Sequence, residues 1–267
     1  MTETPRTWHH GLVALWWAEF NHAKPEELRF YRSAIERFGQ PALDLGCGTG
    51  RIMLPLLEEG LDVDGIDVSE DMLSHARRRG EERGLAPMLL AQAFHELDPP
   101  RTYRTVYICD SFGIGGSRAN DCEMLRRVHA SLGAGGALVF SHDLPYADEA
   151  EWAAWLPARR GDLPRDWPEA GQRNRLPDGT ELELRNRLEV MDPGEQLVTF
   201  GIQARHWSGG ELLASDELRI DIRLYFRQEI LLMLDDAGFG TVAVEGYYTG
   251  QRANADDTSI IFIATRP

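Results

Sequence analysis

Leu43-Asp44-Leu45-Gly46-Cys47-Gly48-Thr49-Gly50 is an apolar run ending in an acid and alternating glycines. Such a backbone is prepared for close approach by a ligand, because glycine removes the Cβ that would block it. A glycine-rich turn after a strand also marks dinucleotide and phosphate sites. Here Arg51 stands where a dinucleotide fingerprint needs its third glycine, and no Gly-Lys-Ser/Thr follows. Asp44 at the mouth of the turn favours a cation over a pyrophosphate. A second acid, Asp67, closes the apolar segment 62–67 and lies 23 positions after Asp44. That is where a strand-helix-strand unit puts the carboxylate that binds ribose hydroxyls. The chemistry these residues suggest is the binding of a nucleoside that carries positive charge.

The elements that position them follow from periodicity. Leu12, Leu15, Trp16 and Phe20, then Leu28, Tyr31, Ile35 and Phe38, fall at helical spacing, with Pro25 opening and Gly39 ending the second run. Residues 41–144 alternate short apolar strands with helices near 51–59, 70–83 and 119–132, the pattern of a parallel sheet. The strands are 43–45, 62–67, Met88–Gln92, Thr105–Cys109 and Ala137–Ser141, and Ser69 is placed to cap the second helix, with Glu70 and Asp71 complementing its dipole. The rhythm breaks over 145–178, where prolines accompany Trp152, Trp155 and Trp167, and the segment reads as a cover. Between 180 and 224 the period becomes two: Leu182, Leu184, Leu188 and Val190, then Val198, Phe200, Ile202 and Ala204, then Leu218, Ile220, Ile222 and Leu224. Three antiparallel strands with one apolar side are expected. A helix at 227–236 and strands at 241–248 and 259–265 complete the main sheet.

S-adenosylmethionine fits the turn, since it has no phosphate and carries an ammonium and a sulfonium. The octapeptide resembles the first motif of the class I S-adenosylmethionine-dependent methyltransferases, and residues 40–144 with 227–265 follow that family's core. The resemblance implies an α/β, Rossmann-like seven-stranded methyltransferase sheet flanked by helices, its last strand antiparallel to its neighbours. It also implies an N-terminal helical cap over 1–39, a cofactor core of 40–144 and 225–267, and a lid with an antiparallel β insertion over 145–224 on the substrate side. By position and strand pattern the insertion is similar to that of amino-sugar N-methyltransferases. The cofactor residues implied are Asp44, Gly46, Cys47, Gly48, Thr49, Gly50 and Arg51 in the turn, and Asp67, Val68 and Met72 around the ribose. Gln92, Ala93 and Phe94 would meet the adenine, Gln92 standing where the family commonly has an acid and offering its side-chain carbonyl instead. Cys109, Asp110 and Ser111 lie at the carboxyl edge of the fourth strand, where ligands bind in open α/β sheets. Trp17, around the helix from Trp16, is expected against the cofactor.

Methyl transfer from a sulfonium asks mainly for positioning, and a protonated amine or hydroxyl also needs a base. His142 at the end of the fifth strand is the candidate base, because its ordinary pKa lies near neutrality, with Asp143 to orient it or an ammonium. Trp16, Glu19, Phe112, Tyr146 and Tyr247 are candidate substrate contacts, aromatic faces being able to hold a cationic or flat group. The eight histidines and three cysteines show neither metal-ligand spacing nor a disulfide framework.

Composition bounds the partners. Of 267 residues 43% are apolar and 27% charged, as in a folded globular protein. The net charge of −15 disfavours nucleic acid, whose binding depends on neutralising phosphates. No stretch approaches membrane-spanning length and no leader pattern opens the chain, so a cytoplasmic protein with no membrane partner is expected. Nothing in the sequence decides between a monomer and a homodimer. The expected function is transfer of a methyl group from S-adenosylmethionine to a small molecule, an amine nitrogen before oxygen or carbon. An aminopropyltransferase-like enzyme and a non-catalytic cofactor-binding module are the alternatives.

Overall fold

Ten residues of helix α1 (Gly11–Phe20) and fourteen of α2 (Pro25–Phe38) precede the first strand. The computed structural model describes residues 8–267, so residues 1–7 of the expected cap lie outside the described residues. Strands β1 (Ala42–Leu45), β2 (Val63–Asp67), β3 (Leu89–Ala91), β4 (Tyr103–Ile108) and β5 (Leu132–Asp143) then alternate with α3 (Met53–Glu58), α4 (Glu70–Glu82) and α5 (Arg118–Ser131). After the insertion come α8 (Arg227–Asp236), β10 (Thr241–Gly246) and β11 (Ser259–Thr265). The seven-stranded sheet has the order β10-β11-β5-β4-β1-β2-β3, and β11 runs antiparallel to both β5 and β10. The chain reverses direction across the sheet between β1 and β4, and the crevice beyond their carboxyl ends is the natural ligand site.

Alternation along the strands builds two cores. Leu43, Leu45, Val106, Ile108, Leu138, Phe140 and Phe262 face α5 and α8, meeting Met124, Val128, Ile230 and Leu234. Their neighbours Ala42, Tyr107, Val139 and Ile261 face α2 and α3, meeting Tyr31, Ile35, Met53 and Leu54. Covering both faces is why the central strands read as continuous apolar runs.

The insertion begins with two short helices, α6 (Glu149–Ala153) and α7 (Pro157–Arg160). A four-stranded antiparallel sheet follows: β6 (Gln172–Arg175), β7 (Glu181–Asp192), β8 (Leu197–Ser208) and β9 (Glu211–Arg223). Two expectations are corrected. There are four strands rather than three, because β6 pairs with the start of β7 through an entirely polar Gln-Arg-Asn-Arg edge strand that has no apolar alternation to betray it. Val190 does not continue the apolar face: the β7–β8 register shifts between Leu188 and Val190, leaving Val190 39% exposed and turning Met191 into the core instead. The cover over 145–178 puts Trp167 above the guanidinium groups of Arg187 and Arg185, and sets Trp152 and Trp155 against Phe226.

Candidate active site

The glycine turn is lashed to β2. The amides of Gly46 and Cys47 both donate to the Ile66 carbonyl, at 2.7 and 3.0 Å. Gly46 and Gly48 have φ of +85° and +52°, a backbone that side chains resist. A Cβ on Gly46 would also collide with Ser111 Oγ and lie 2.9 Å from the Phe94 ring. The Gly48 amide donates to Asp67 Oδ2 at 2.9 Å and the Ser69 amide to Asp67 Oδ1 at 2.8 Å. Asp67 is thus fixed at the end of β2 with lone pairs to spare. Burial raises its pKa, and the three amides of Ser69, Gly48 and Val68 oppose that rise. Ser69 caps α4 by accepting the Met72 amide.

These residues open onto a cavity of about 600 Å³, within the ~300–1,000 Å³ usual for small-molecule sites. The core contributes Gly46, Cys47, Gly48, Thr49, Asp67, Val68, Met72 and Phe94 to its wall. The insertion contributes Phe200, Ile202, Ile220 and Ile222, with Asn186 and Glu151. Cys109, Asp110, Ser111 and Tyr247 border it from the sheet edge, and Trp17 from the cap.

Below the turn, Arg51 organises a polar hub. Its guanidinium meets Glu27 Oε2 at 2.7 Å, and Cys109 Sγ and Asp110 Oδ2 at 3.0 Å each. Glu27, Cys109 and Asp110 form the group among the described residues that could converge on a metal ion, and the Arg51 guanidinium already fills that cationic position. Asp110 also accepts the Ser141 hydroxyl at 2.6 Å and the Tyr247 hydroxyl at 3.3 Å. Its φ of +59° makes it a strained residue at the strand end.

Several expected residues lie elsewhere. His142 shares the strand face of Leu138 and Phe140, so period-two alternation carries it into the core. There its ring meets Phe112 edge-on and its Nε2 donates to the Tyr225 carbonyl at 2.9 Å. It is 7% exposed, burial lowers its pKa, and it is not a wall of the cavity. Asp143 turns outward and accepts the Ser259 hydroxyl at 2.5 Å. Phe112 packs between Phe140 and Tyr225. Glu19 faces α4 and pairs with Arg78. Trp16 is buried against Trp17 and Phe20, and Tyr146 is exposed beside Trp152. Gln92 accepts the Asp98 amide, and Ala93 begins the 3₁₀ turn that presents Phe94. Gly50 packs towards Leu54, and Asp44 is buried behind the turn rather than at its mouth. Of the expected substrate contacts, Tyr247 alone borders the cavity.

The structure adds walls the sequence did not mark. The His9 ring lies tilted against Trp17 with centroids 5.1 Å apart, and burial pushes its pKa down to about 4. Glu27 had a legible signal, as the third residue of the helix that Pro25 opens, and its carboxylate does accept the Lys24 amide. Glu151, Asn186 and the isoleucines reach the cavity only through the docking of the insertion.

The fit of S-adenosylmethionine can be judged on two buried atoms. Trp17 Nε1 and Ser111 Oγ have no hydrogen-bond partner among the described residues, and both side chains border the cavity. Buried polar atoms ordinarily find a partner, and a bound ligand with polar groups would supply one. Together with the fixed Asp67 and the narrow cleft over Gly46, these residues fit the cofactor.

Residues 42–136 match the family model described as a methyltransferase domain. The Bacillus subtilis (strain 168) protein YqeM, which carries a methyltransferase name, is 36% identical over 136 residues, 49% of this chain and 54% of its own length. The chain spans about half the length of the curated relatives it matches. Among solved structures, an S-adenosylmethionine-dependent methyltransferase from Clostridium acetobutylicum superposes with a TM-score of 0.70 at 17% identity, covering 94% of this chain and 96% of that one. The sugar N-methyltransferase KedS8 from Streptoalloteichus superposes with 0.68 at 18% identity, covering 100% and 97%. Residues 42–136 thus match a methyltransferase domain, and the sheet order and fold of the chain are similar to those of solved S-adenosylmethionine-dependent methyltransferases.

Proposed function

We propose that the protein transfers a methyl group from S-adenosylmethionine to a small-molecule acceptor, and that the acceptor atom is an amine nitrogen. One observation carries this reading: a single cavity runs from the glycine turn and Asp67 to an apolar wall supplied by the insertion. A module that only bound the cofactor would have no use for the second half. When bound, the cofactor supplies an electrophilic methyl group on a sulfonium. The residues of this chain hold and orient. Asp67 takes the ribose hydroxyls, Phe94 and Met72 flank the base, and Ser111 and Trp17 offer their unpartnered polar atoms. The insertion wall holds the acceptor and excludes water, and such positioning can supply much of the rate.

Support for nitrogen comes from the charge of −15, which suits a cationic acceptor, and from similarity to KedS8, described as a sugar N-methyltransferase. The test is transfer of labelled methyl from S-adenosylmethionine to panels of amines, phenols and carboxylates. Label in amines is expected. Label confined to phenols would move the acceptor to oxygen, and label in none of the panels would contradict the small-molecule reading.

A further inference from the structure

Four carboxylates border the cavity among the described residues: Glu27, Asp67, Asp110 and Glu151. Three are engaged. Glu27 holds the Lys24 amide and Arg51. Asp67 holds the amides of Gly48 and Ser69, and Asp110 holds Arg51, Ser141 and Tyr247. Glu151 differs, because its carboxylate has no hydrogen-bond or ion-pair partner among the described residues. Its backbone is nonetheless fixed, the amide donating to the Asp148 side chain at the start of α6 at 2.8 Å. The other residues that the insertion contributes to the cavity wall are Asn186 and the apolar Phe200, Ile202, Ile220 and Ile222. Glu151 is only half-buried, so solvent can serve its carboxylate, and an ammonium entering the cavity can replace that water with charge-assisted hydrogen bonds.

We propose that Glu151 is the residue that receives the acceptor's ammonium group and takes its proton, so that the substrate class is a protonated primary or secondary amine on an apolar scaffold. This rests on the methyl-transfer reading above. The proton passes from R–NH3+ to the Glu151 carboxylate, leaving a neutral amine and a carboxylic acid. The amine lone pair then forms the N–C bond while the C–S bond breaks and its electrons stay on sulfur. The products are the methylated ammonium and an uncharged thioether, and Glu151 returns its proton to solvent. Burial first, then the nearby Asp148 and Asp143, push the Glu151 carboxyl up to about 7 against the pull of Arg165. A group so poised exchanges protons readily near neutral pH.

The probes are cyclohexylamine and its neutral isostere cyclohexanol, titrated calorimetrically at pH 8 into protein loaded with S-adenosylhomocysteine. The wild type is expected to favour the ammonium by at least ~10-fold, the scale of one hydrogen bond to a charged group. In Glu151→Gln, isosteric and near solvent, the preference should fall to about unity, with the melting temperature and S-adenosylhomocysteine affinity unchanged. Glu151→Asp should keep part of it. On any amine found to accept label, Glu151→Gln should lower kcat by ~100-fold, the lower end of what a positioned base contributes. A preference that survives in Glu151→Gln, one absent from the wild type, or an unchanged kcat would overturn the proposal. Failure of the wild type to bind S-adenosylhomocysteine would instead overturn the cofactor reading beneath it.

Discussion

Asp44 and Asp67 each end or nearly end a strand beside the same turn, yet the fold gives them opposite work. Asp67 is met by backbone amides and faces the cavity, while Asp44 is 2% exposed behind the turn. Burial pushes the Asp44 carboxyl up to about 7, despite the nearby Tyr107 hydroxyl and Arg51 guanidinium that oppose the rise. A folded-state pKa above the ordinary value means that the native state holds the proton more tightly than the unfolded chain does. The contribution of Asp44 to stability is therefore greatest below pH 4, falls as pH rises from about 4 to 7, and is flat beyond. Asp44→Asn removes that decline. Denaturant unfolding should show the variant gaining roughly 2 to 3 kcal/mol relative to wild type between pH 5 and pH 8. A difference that does not change with pH would contradict this account of Asp44. Spacing made both acids visible in the sequence, because a strand-turn-helix motif is local. Which one faced the ligand depends on the packing of Met53 and Tyr107 over β1, and spacing carries no trace of that.

Helix α1 has no side-chain cap of its own, since His10 at its start makes no capping bond. Its first amides are satisfied from two other parts of the molecule: Gly11 donates to Asp71 of α4 at 2.7 Å and Leu12 to Asp216 of β9 at 2.8 Å. Ser69 adds a bond to the His9 carbonyl at 2.6 Å. The cap is thereby tied to the cofactor core and to the insertion at once, which holds His9 and Trp17 over the cavity. Asp71→Ala and Asp216→Ala should each destabilise the protein by about 1 kcal/mol, as lost caps do. Each should also speed cofactor dissociation several-fold in stopped-flow measurements. Unaltered dissociation would mean that the apolar contact of Val13 with Ala204, Leu218 and Ile220 holds the cap alone.

Elements with a strong period were legible: α2, α4, α8 and the strands of the main sheet stand close to where the spacing of apolar residues put them. Failures came where one extra residue or one polar strand intervened. The register shift after Leu188 turned Val190 outward, and β6 had no apolar residue to announce it. His142 was placed at the right strand end, but the parity of Leu138 and Phe140 sends its ring into the core. Alternation along β5 held the signal that would have found this.

At the scale of the whole molecule the two halves of the cavity have different origins. The matched segment 42–136 contributes the glycine turn, Asp67, Met72, Phe94 and Ser111, whereas Trp17, Glu151, Asn186 and the isoleucine wall all lie outside it. The wall supplied by the core follows from a short local motif at the end of a strand, and the sequence discloses it. The wall supplied by the cap and the insertion exists only when α1, α6 and the antiparallel sheet close together, so no single segment could reveal it. No helix among the described residues is long and apolar enough to cross a membrane, and with a charge of −15 nothing favours a phosphate-rich partner. We propose that Asp67 and the glycine turn bind S-adenosylmethionine. Isothermal titration of S-adenosylmethionine into the wild type and Asp67→Ala tests it most directly. One site per chain in the wild type, weakened at least ~100-fold or about 2.8 kcal/mol in the variant, is the expected result. Equal affinity in the two proteins would contradict it.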